Sequence, residues 1–403
     1  MHLAIVSAVL IFIAAGASSG GRVAVTLLAL KLDASPLVVG TLLATYSAIP
    51  ALLGVPLGRL VDRIGVAAPV ISGLVAVCLA LLLAAVSPTL PTLYVVALLI
   101  GAGIIAASIA LGNAVGMASA PSERTRNFAL YTVGISASNA VGPMIIGFAI
   151  DGFGFQGGFL LMALLSTIAM VVFWIYRRIF PPPRPKAEIP KQQNPLQMLM
   201  DRQLRPVFIA STTVAMIWDV YQFIAPVWGT QLGLSASSIG VLLGSFSAAT
   251  FFVRAILPLL SARFSEWALI SATIFTAGVG FAMIPLASTF GPLVMTSILL
   301  GAGFGFGFPM ILSVSFAASP KGREAEVSGI RYALSAVVHF FVPLIIGALT
   351  TALGLAAVAW GASAVMFGGS WNARRQARLR AKPGVGQQVP RQAAGDSGPD
   401  EGK

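Results

Sequence analysis

The chain has 403 residues, 57% of them hydrophobic and 9% charged, with a mean hydropathy of +0.91 and a net charge of +12. Soluble domains carry about 25% charged residues, so this chain has too little polar surface to cover a water-facing globule and its solvent is lipid. The positive charge does not point to nucleic acid, because the basic residues sit in short segments between apolar runs, as in a multi-spanning membrane protein. Cys78 is the only cysteine and His2 and His339 the only histidines, which excludes an internal disulfide and a cysteine- or histidine-rich metal centre. No metal or other cofactor is expected, and no catalytic cluster emerges from the loops, so the chain does not read as an enzyme.

Apolar runs of about 20 residues are long enough to cross the hydrocarbon. In chain order they fall near 3–30, 37–57, 66–87, 91–115, 127–150 and 157–178, then 206–231, 237–260, 266–288, 291–315, 327–350 and 353–371. The first run has no basic residue before Leu3 and is longer than a signal-peptide core, so it reads as a retained span. The expected fold is an all-α membrane protein of twelve transmembrane helices in two six-helix bundles. An N-terminal half occupies 1–178, a polar linker 179–205, a C-terminal half 206–371 and a disordered tail 372–403. The linker is stiffened by Pro181-Pro182-Pro183, Pro185, Pro190 and Pro195. Lys and Arg concentrate on the linker side: Arg59 and Arg63, Arg124 and Arg126, the linker itself, Arg263, Lys321 and Arg323, and the tail. Lys31 alone lies on the other side. Both termini and the linker are therefore expected in the cytoplasm, with the chain in a bacterial inner membrane.

The two halves repeat with a step of 200 residues. Leu32, Ser35, Gly40, Leu42, Leu43, Ser47 and Ala48 recur as Leu232, Ser235, Gly240, Leu242, Leu243, Ser247 and Ala248. Gly101 and Gly103 recur as Gly301 and Gly303, and Pro143 with Gly147 recurs as Pro343 with Gly347. Parallel six-helix repeats about an axis along the membrane normal are the construction of a large class of secondary transporters.

Between spans two and three, Gly58, Asp62, Arg63 and Gly65 place a carboxylate and a base on a tight turn. That segment resembles the GxxxD(R/K)xG loop of the major facilitator superfamily, with Val66 and Ala67 where the family pattern continues with basic residues. The resemblance implies that the loop switches the protein between its two open states. In span five, Gly134, Ser138, Gly142, Pro143 and Gly147 make a small-residue face with a kink at Pro143. It is similar to the family's exporter element GPxxGG, with Ile146 at one glycine position; a generic packing face is the lesser alternative. Ala97 stands where exporters of the family carry an Arg in span four.

Ionisable residues at membrane depth are costly and tend to mark a pathway or a partner. Asp219 lies in mid-span seven, Arg22 in span one and His339 in span eleven, opposite Asn139 in the repeat; Arg22 corresponds to Gln222. In the family, spans one, four, seven and ten line the central cavity. By that resemblance Arg22 faces Asp219 across the path, as a functional pair or as a structural ion pair between the halves. Trp218 and Tyr221 add aromatic surface, His339 reads as a structural hydrogen-bonding residue, and Arg254 and Arg331 as snorkelling or gate-tuning residues near helix ends. The expected function is secondary transport of small amphipathic molecules by alternating access, with proton-coupled efflux by antiport preferred. Uptake of an organic anion anchored by Arg22 is the alternative, and a non-transporting receptor a distant third. The expected partners are a small-molecule substrate, protons and the lipid bilayer, with no nucleic acid, and the protein is expected to be a monomer.

Overall fold

Hydrocarbon offers the backbone no hydrogen bonds, so each spanning segment has to close its own N–H to C=O ladder. The computed structural model does this with helices throughout; it describes residues 2–119, 123–180, 199–320 and 324–381, and the backbone alone for 53–63, 124, 125, 255, 258, 324–326, 328, 380 and 381. In chain order, α1 (His2–Lys31), α2 (Pro36–Ile64), α3 (Ala67–Val86) and α4 (Leu90–Ala118) precede one long run, Arg124–Tyr176. Gly154 breaks that run with φ 70° and ψ 178°, a conformation closed to residues with a Cβ. The run is therefore two spans, α5 (124–153) and α6 (155–176). The second half holds α7 (Arg205–Gln231), α8 (Ala236–Ser261), α9 (Glu266–Met283), α10 (Phe290–Ala318), α11 (Glu324–Leu353) and α12 (Leu355–Ala381).

Among the described residues nine stretches are long and apolar enough to cross a membrane, with the α5–α6 run counted once. The helices α2 and α12 complete the twelve. Large apolar side chains such as Leu52, Val86, Phe252 and Met295 point outward, as a lipid-facing surface requires. Helix α12 continues past the expected span end at 371 through Arg374, Arg375 and Arg378 to Ala381. The prolines of the linker and the tail from residue 382 lie outside the described residues.

One expected loop is helix. Gly58 to Ile64 form the last turns of α2, and the turn shrinks to Gly65 (φ 81°) and Val66. A continued helix keeps the backbone paired until Gly65 supplies the positive φ that ends it. The side chains of Asp62 and Arg63, and the surroundings of Gly58, lie outside the described residues.

The 200-residue step is a step in packing. Within the halves, a Cβ on Gly101 would strike the Tyr46 carbonyl oxygen, and one on Gly301 would strike that of Phe246. Between the halves, Gly40 of α2 meets Pro343 and Gly347 of α11, while Gly240 of α8 meets Pro143 and Gly147 of α5 meets Ala236 and Ser237. In each case an added Cβ would collide with backbone. The contacts form two seams, α2 with α11 and α5 with α8, near the face opposite the linker. Small residues hold them because lipid gives helices no hydrophobic reason to associate, which leaves close backbone approach to do so.

Candidate translocation cavity

Each seam ends in a hydrogen-bonded cap. Asp151, at the end of α5, accepts from the Ala236 N–H (3.1 Å) and the Ser237 N–H (2.9 Å), the exposed donors of the α8 N-terminus. Its repeat partner Thr351 accepts through Oγ1 from the Leu37 N–H (3.2 Å) at the N-terminus of α2. Burial pushes the Asp151 carboxyl up, but the bonds from Ser237, Ser235 and Ala236 outweigh it and hold its pKa below the ordinary value. The protein is thus closed at the face opposite the linker.

On the linker side of the seams, between the halves, lies a cavity of about 910 Å3. That size suits a small ligand. Both halves contribute matched positions, including Ser47 with Ser247 and Asn139 with His339. Trp218, Phe304 and Phe308 supply aromatic surface, and Ile105, Ile109 and Ile135 aliphatic surface. A smaller pocket of about 270 Å3 shares Ser47, Asn139 and Trp218 with it and is bounded by Arg22, Tyr46 and Gln222. The larger cavity extends to Gly329 and Tyr332 toward the linker end of α11.

Arg22 and Asp219 lie near enough for their charges to interact, but they form no direct salt bridge. Asp219 is 2% exposed and its Oδ2 lies 2.7 Å from His339 Nδ1, a bridge from α7 to α11. The His339 side chain is 37% exposed and lies on the cavity wall, so the pair has one sealed end and one open end. Arg22 makes no ion pair among the described residues; its guanidinium sits 5.7 Å from the Tyr46 ring centroid and its Nε lacks a partner. Matched depth in the repeat fixed the level of Arg22, and it does line the smaller pocket with Gln222, but depth does not fix the direction in which a helix presents a side chain.

Tyr221 turns away from the path. It is 1% exposed, stacks on Phe246 at 4.4 Å, donates to the Leu242 carbonyl (2.7 Å) and lies 2.8 Å from Ser297 Oγ. Its hydroxyl and ring are committed to the core of the second half. Trp218 does line both pockets. Gly142 packs on Gly16 and Ser19 of α1, and Pro143 and Gly147 build the α5–α8 seam.

Of the two readings given to Arg254 and Arg331, snorkelling and gate tuning, the first does not fit: both line the cavity, and Arg331 is 1% exposed. Arg254 donates through Nη1 to Ser136 Oγ of the opposite half (3.1 Å). Arg331 lies against Phe308 and Tyr332, at 5.0 and 4.6 Å from their ring centroids. No signal in the single chain distinguishes an inward Arg from a snorkelling one seven residues from a helix end.

A family model described as Major Facilitator Superfamily matches residues 7–343 and again 207–387. The chain belongs to the Major Facilitator Superfamily. The overlapping second match restates the duplication, and the family is one of transporters rather than enzymes. No curated protein is similar to the chain in sequence. Among solved structures it is similar to a POT family transporter in complex with a thioalcohol-conjugated peptide, with TM-score 0.80 and 13% identity over 94% of this chain and 96% of that one. A variant of peptide transporter POT in complex with sulfate gives TM-score 0.78 and 17% identity over 93% and 94%. A bacterial homolog of the human lysosomal transporter Spinster, inward-facing and unoccupied, gives TM-score 0.67 and 13% identity over 93% and 95%. At these identities the likeness establishes the fold.

The family resemblance implied a cavity lined by spans one, four, seven and ten. Helices α4, α7 and α10 do line the larger cavity, but so do α2, α5, α8 and α11, while α1 borders the smaller pocket alone. The seam helices meet at the opposite face, which leaves their inner sides bare toward the linker. Ala97 is fully buried in the core of the first half, so α4 offers no cation there.

Proposed function

We infer that this member of the superfamily is a secondary active transporter that moves small amphipathic solutes by alternating access, coupled to protons through Asp219 and His339. The observation that carries the reading is the 2.7 Å pair itself. A carboxylate that is the only buried one among the described residues, bridged to an imidazole on the cavity wall, can take up a proton when the cavity opens to one side and release it on the other. His is the residue whose charge changes most readily near neutral pH. The hydroxyls of Ser47, Ser136, Ser211, Ser247, Thr250, Tyr332 and Ser335 and the amide of Asn139 are interspersed with apolar and aromatic surface, and that mixture suits an amphipathic solute.

Support for export weakens on packing grounds. The stretch Gly142-Pro143-Gly147 forms a seam, and Pro343 with Gly347 forms the matching one in the other half, so it has no sense of direction. The cationic cavity wall favours an acidic solute. The Lys/Arg asymmetry supports a cytoplasmic linker and cytoplasmic termini, and on that reading the state described opens toward the cytoplasm.

Flux in proteoliposomes with and without an imposed pH gradient tests the coupling. Asp219→Asn should abolish gradient-driven accumulation while solute exchange across the membrane persists. Gradient-driven accumulation at the wild-type rate in Asp219→Asn would remove the coupling role. The sense of the proton current accompanying solute separates uptake from export in the same vesicles.

A further inference from the structure

Three guanidiniums border the two pockets, those of Arg22, Arg254 and Arg331, and among the described residues no carboxylate lines either one. The deep carboxylate, Asp219, is engaged by His339. Arg331 is the most enclosed of the three, with Nε and Nη2 both buried and without a hydrogen-bond partner. Arg254 spends one nitrogen on Ser136 and leaves a buried Nε unpartnered. A buried guanidinium held only by ring faces and one hydroxyl is far from satisfied, since its five donors are arranged in a fork that matches a carboxylate or phosphonate. Leaving such a charge without a counter-charge in a low-dielectric site is costly, and a protein that keeps two of them on one cavity wall has a use for an anion there.

We propose that Arg331 and Arg254 form an anion subsite in the linker-side part of the cavity, which takes the acidic group of a small amphipathic solute. The apolar body of that solute lies against Trp218, Phe304 and Phe308. This inference rests on the transport reading above and names its substrate class: organic acids bearing a carboxylate, phosphonate or sulfonate on an aromatic or aliphatic body. It also assigns the anchoring role to α8 and α11 rather than to Arg22 on α1. Arg254 carries a second duty, since its bond to Ser136 crosses from the second half to the first. An anion that engages its guanidinium therefore touches the contact between halves, which links occupancy to their relative movement. Phe308 and Tyr332 position the Arg331 guanidinium plane through their rings, and a planar fork so held loses little freedom when an acid docks.

The test is binding at equilibrium with the full-length protein in lipid nanodiscs, where no gradient is present and the result does not depend on proton coupling. The probes are a panel of aromatic carboxylates, naphthylacetate among them, each set against its uncharged primary amide at millimolar concentration. Calorimetry and thermal stabilisation are the readouts. The wild-type protein should bind acids at least tenfold more tightly than the matched amides. Arg331→Gln and Arg254→Gln should each weaken acid binding by roughly ten- to a hundredfold while leaving amide binding within a few-fold, the loss expected for a charge-assisted bond. Arg331→Lys, which keeps the charge without the fork, should recover part of the preference and serves as the folding control. Equal binding of acids and amides, binding of neither, or an acid preference that survives both Gln variants would each overturn the subsite. An acid preference lost in Arg22→Gln instead would return the anchor to α1. If Asp219→Asn abolishes coupling but these preferences fail, the transport reading stands without its acidic substrate; the reverse outcome leaves an acid-binding protein that is not proton-driven.

Discussion

The Asp151 cap allows the energy of one seam to be worked through. Its carboxylate accepts two N–H bonds at the α8 N-terminus, donors that no other backbone group of the helix can satisfy. Removing a carboxylate cap costs about 0.5–2 kcal/mol, and the loss of negative charge at a helix N-terminus adds about 0.3–1 kcal/mol. Asp151 is mostly exposed to solvent, which screens the charge, so about 1 kcal/mol is the appropriate figure. Asp151→Ala should therefore shift the balance roughly fivefold away from the state closed opposite the linker. Spin labels at Val86→Cys, the exposed end of α3, and Leu286→Cys, exposed in the short turn after α9, report the change at that face on a Cys78→Ser background. The long-distance population should grow in Asp151→Ala. Thr351→Val, which removes one neutral bond at 3.2 Å, should have a smaller effect of the same sign. The sign with pH is fixed: the closed-state pKa is lowered, so the cap is present at neutral pH and is lost as pH at that face falls below the ordinary 3.8. A distance distribution unchanged by Asp151→Ala would mean that the cap does not hold the seam.

Gly40→Val and Gly240→Val should each prevent closure at the same face and abolish transport, since the new side chain meets a carbonyl oxygen; Gly361→Ala, in open space, should behave as wild type. Tyr221→Phe should lower the unfolding temperature by the equivalent of about 1 kcal/mol, because it removes a buried hydrogen bond, and should leave the apparent KM unchanged. Asp62→Asn is expected to slow transport while solute affinity stays within a few-fold; a wild-type rate would remove the latch role from that segment. Reporter fusions after Lys191 and at the C-terminus should both report cytoplasm, and one near Gly233 the outer side.

The repeat was legible because packing recorded it in glycine and proline, whose spacing survives when larger residues drift. The step matches Gly40 with Gly240 and Gly147 with Gly347, and the structure joins these positions crosswise, Gly40 against Gly347 in one seam and Gly147 against the start of α8 in the other. Asp219 was legible as a lone charge in an apolar run. Its partner was not, because periodicity gives depth along a helix while the choice between Arg22 and His339 turns on the azimuth of three helices. The segment from Gly58 to Gly65 misled for a different reason: glycine, aspartate and arginine are turn signals, yet α2 keeps its ladder through them until Gly65. Arg254 and Arg331 were read from their distance to helix ends, a measure that fails where a cavity rather than lipid flanks the helix.

The two seams descend from one ancestral contact but are no longer equals. At one, a carboxylate grips two amides; at the other, a hydroxyl grips one. A door fastened by two latches of different strength yields first at the weaker, and α2 and α11 are therefore the pair expected to part first. The stronger α5–α8 contact then acts as the hinge, so that opening begins as a swing about one edge rather than an even spreading of both halves. A gap at that face is therefore expected first along the α2–α11 edge, so the difference between Asp151 and Thr351 gives a repeated scaffold an uneven rim.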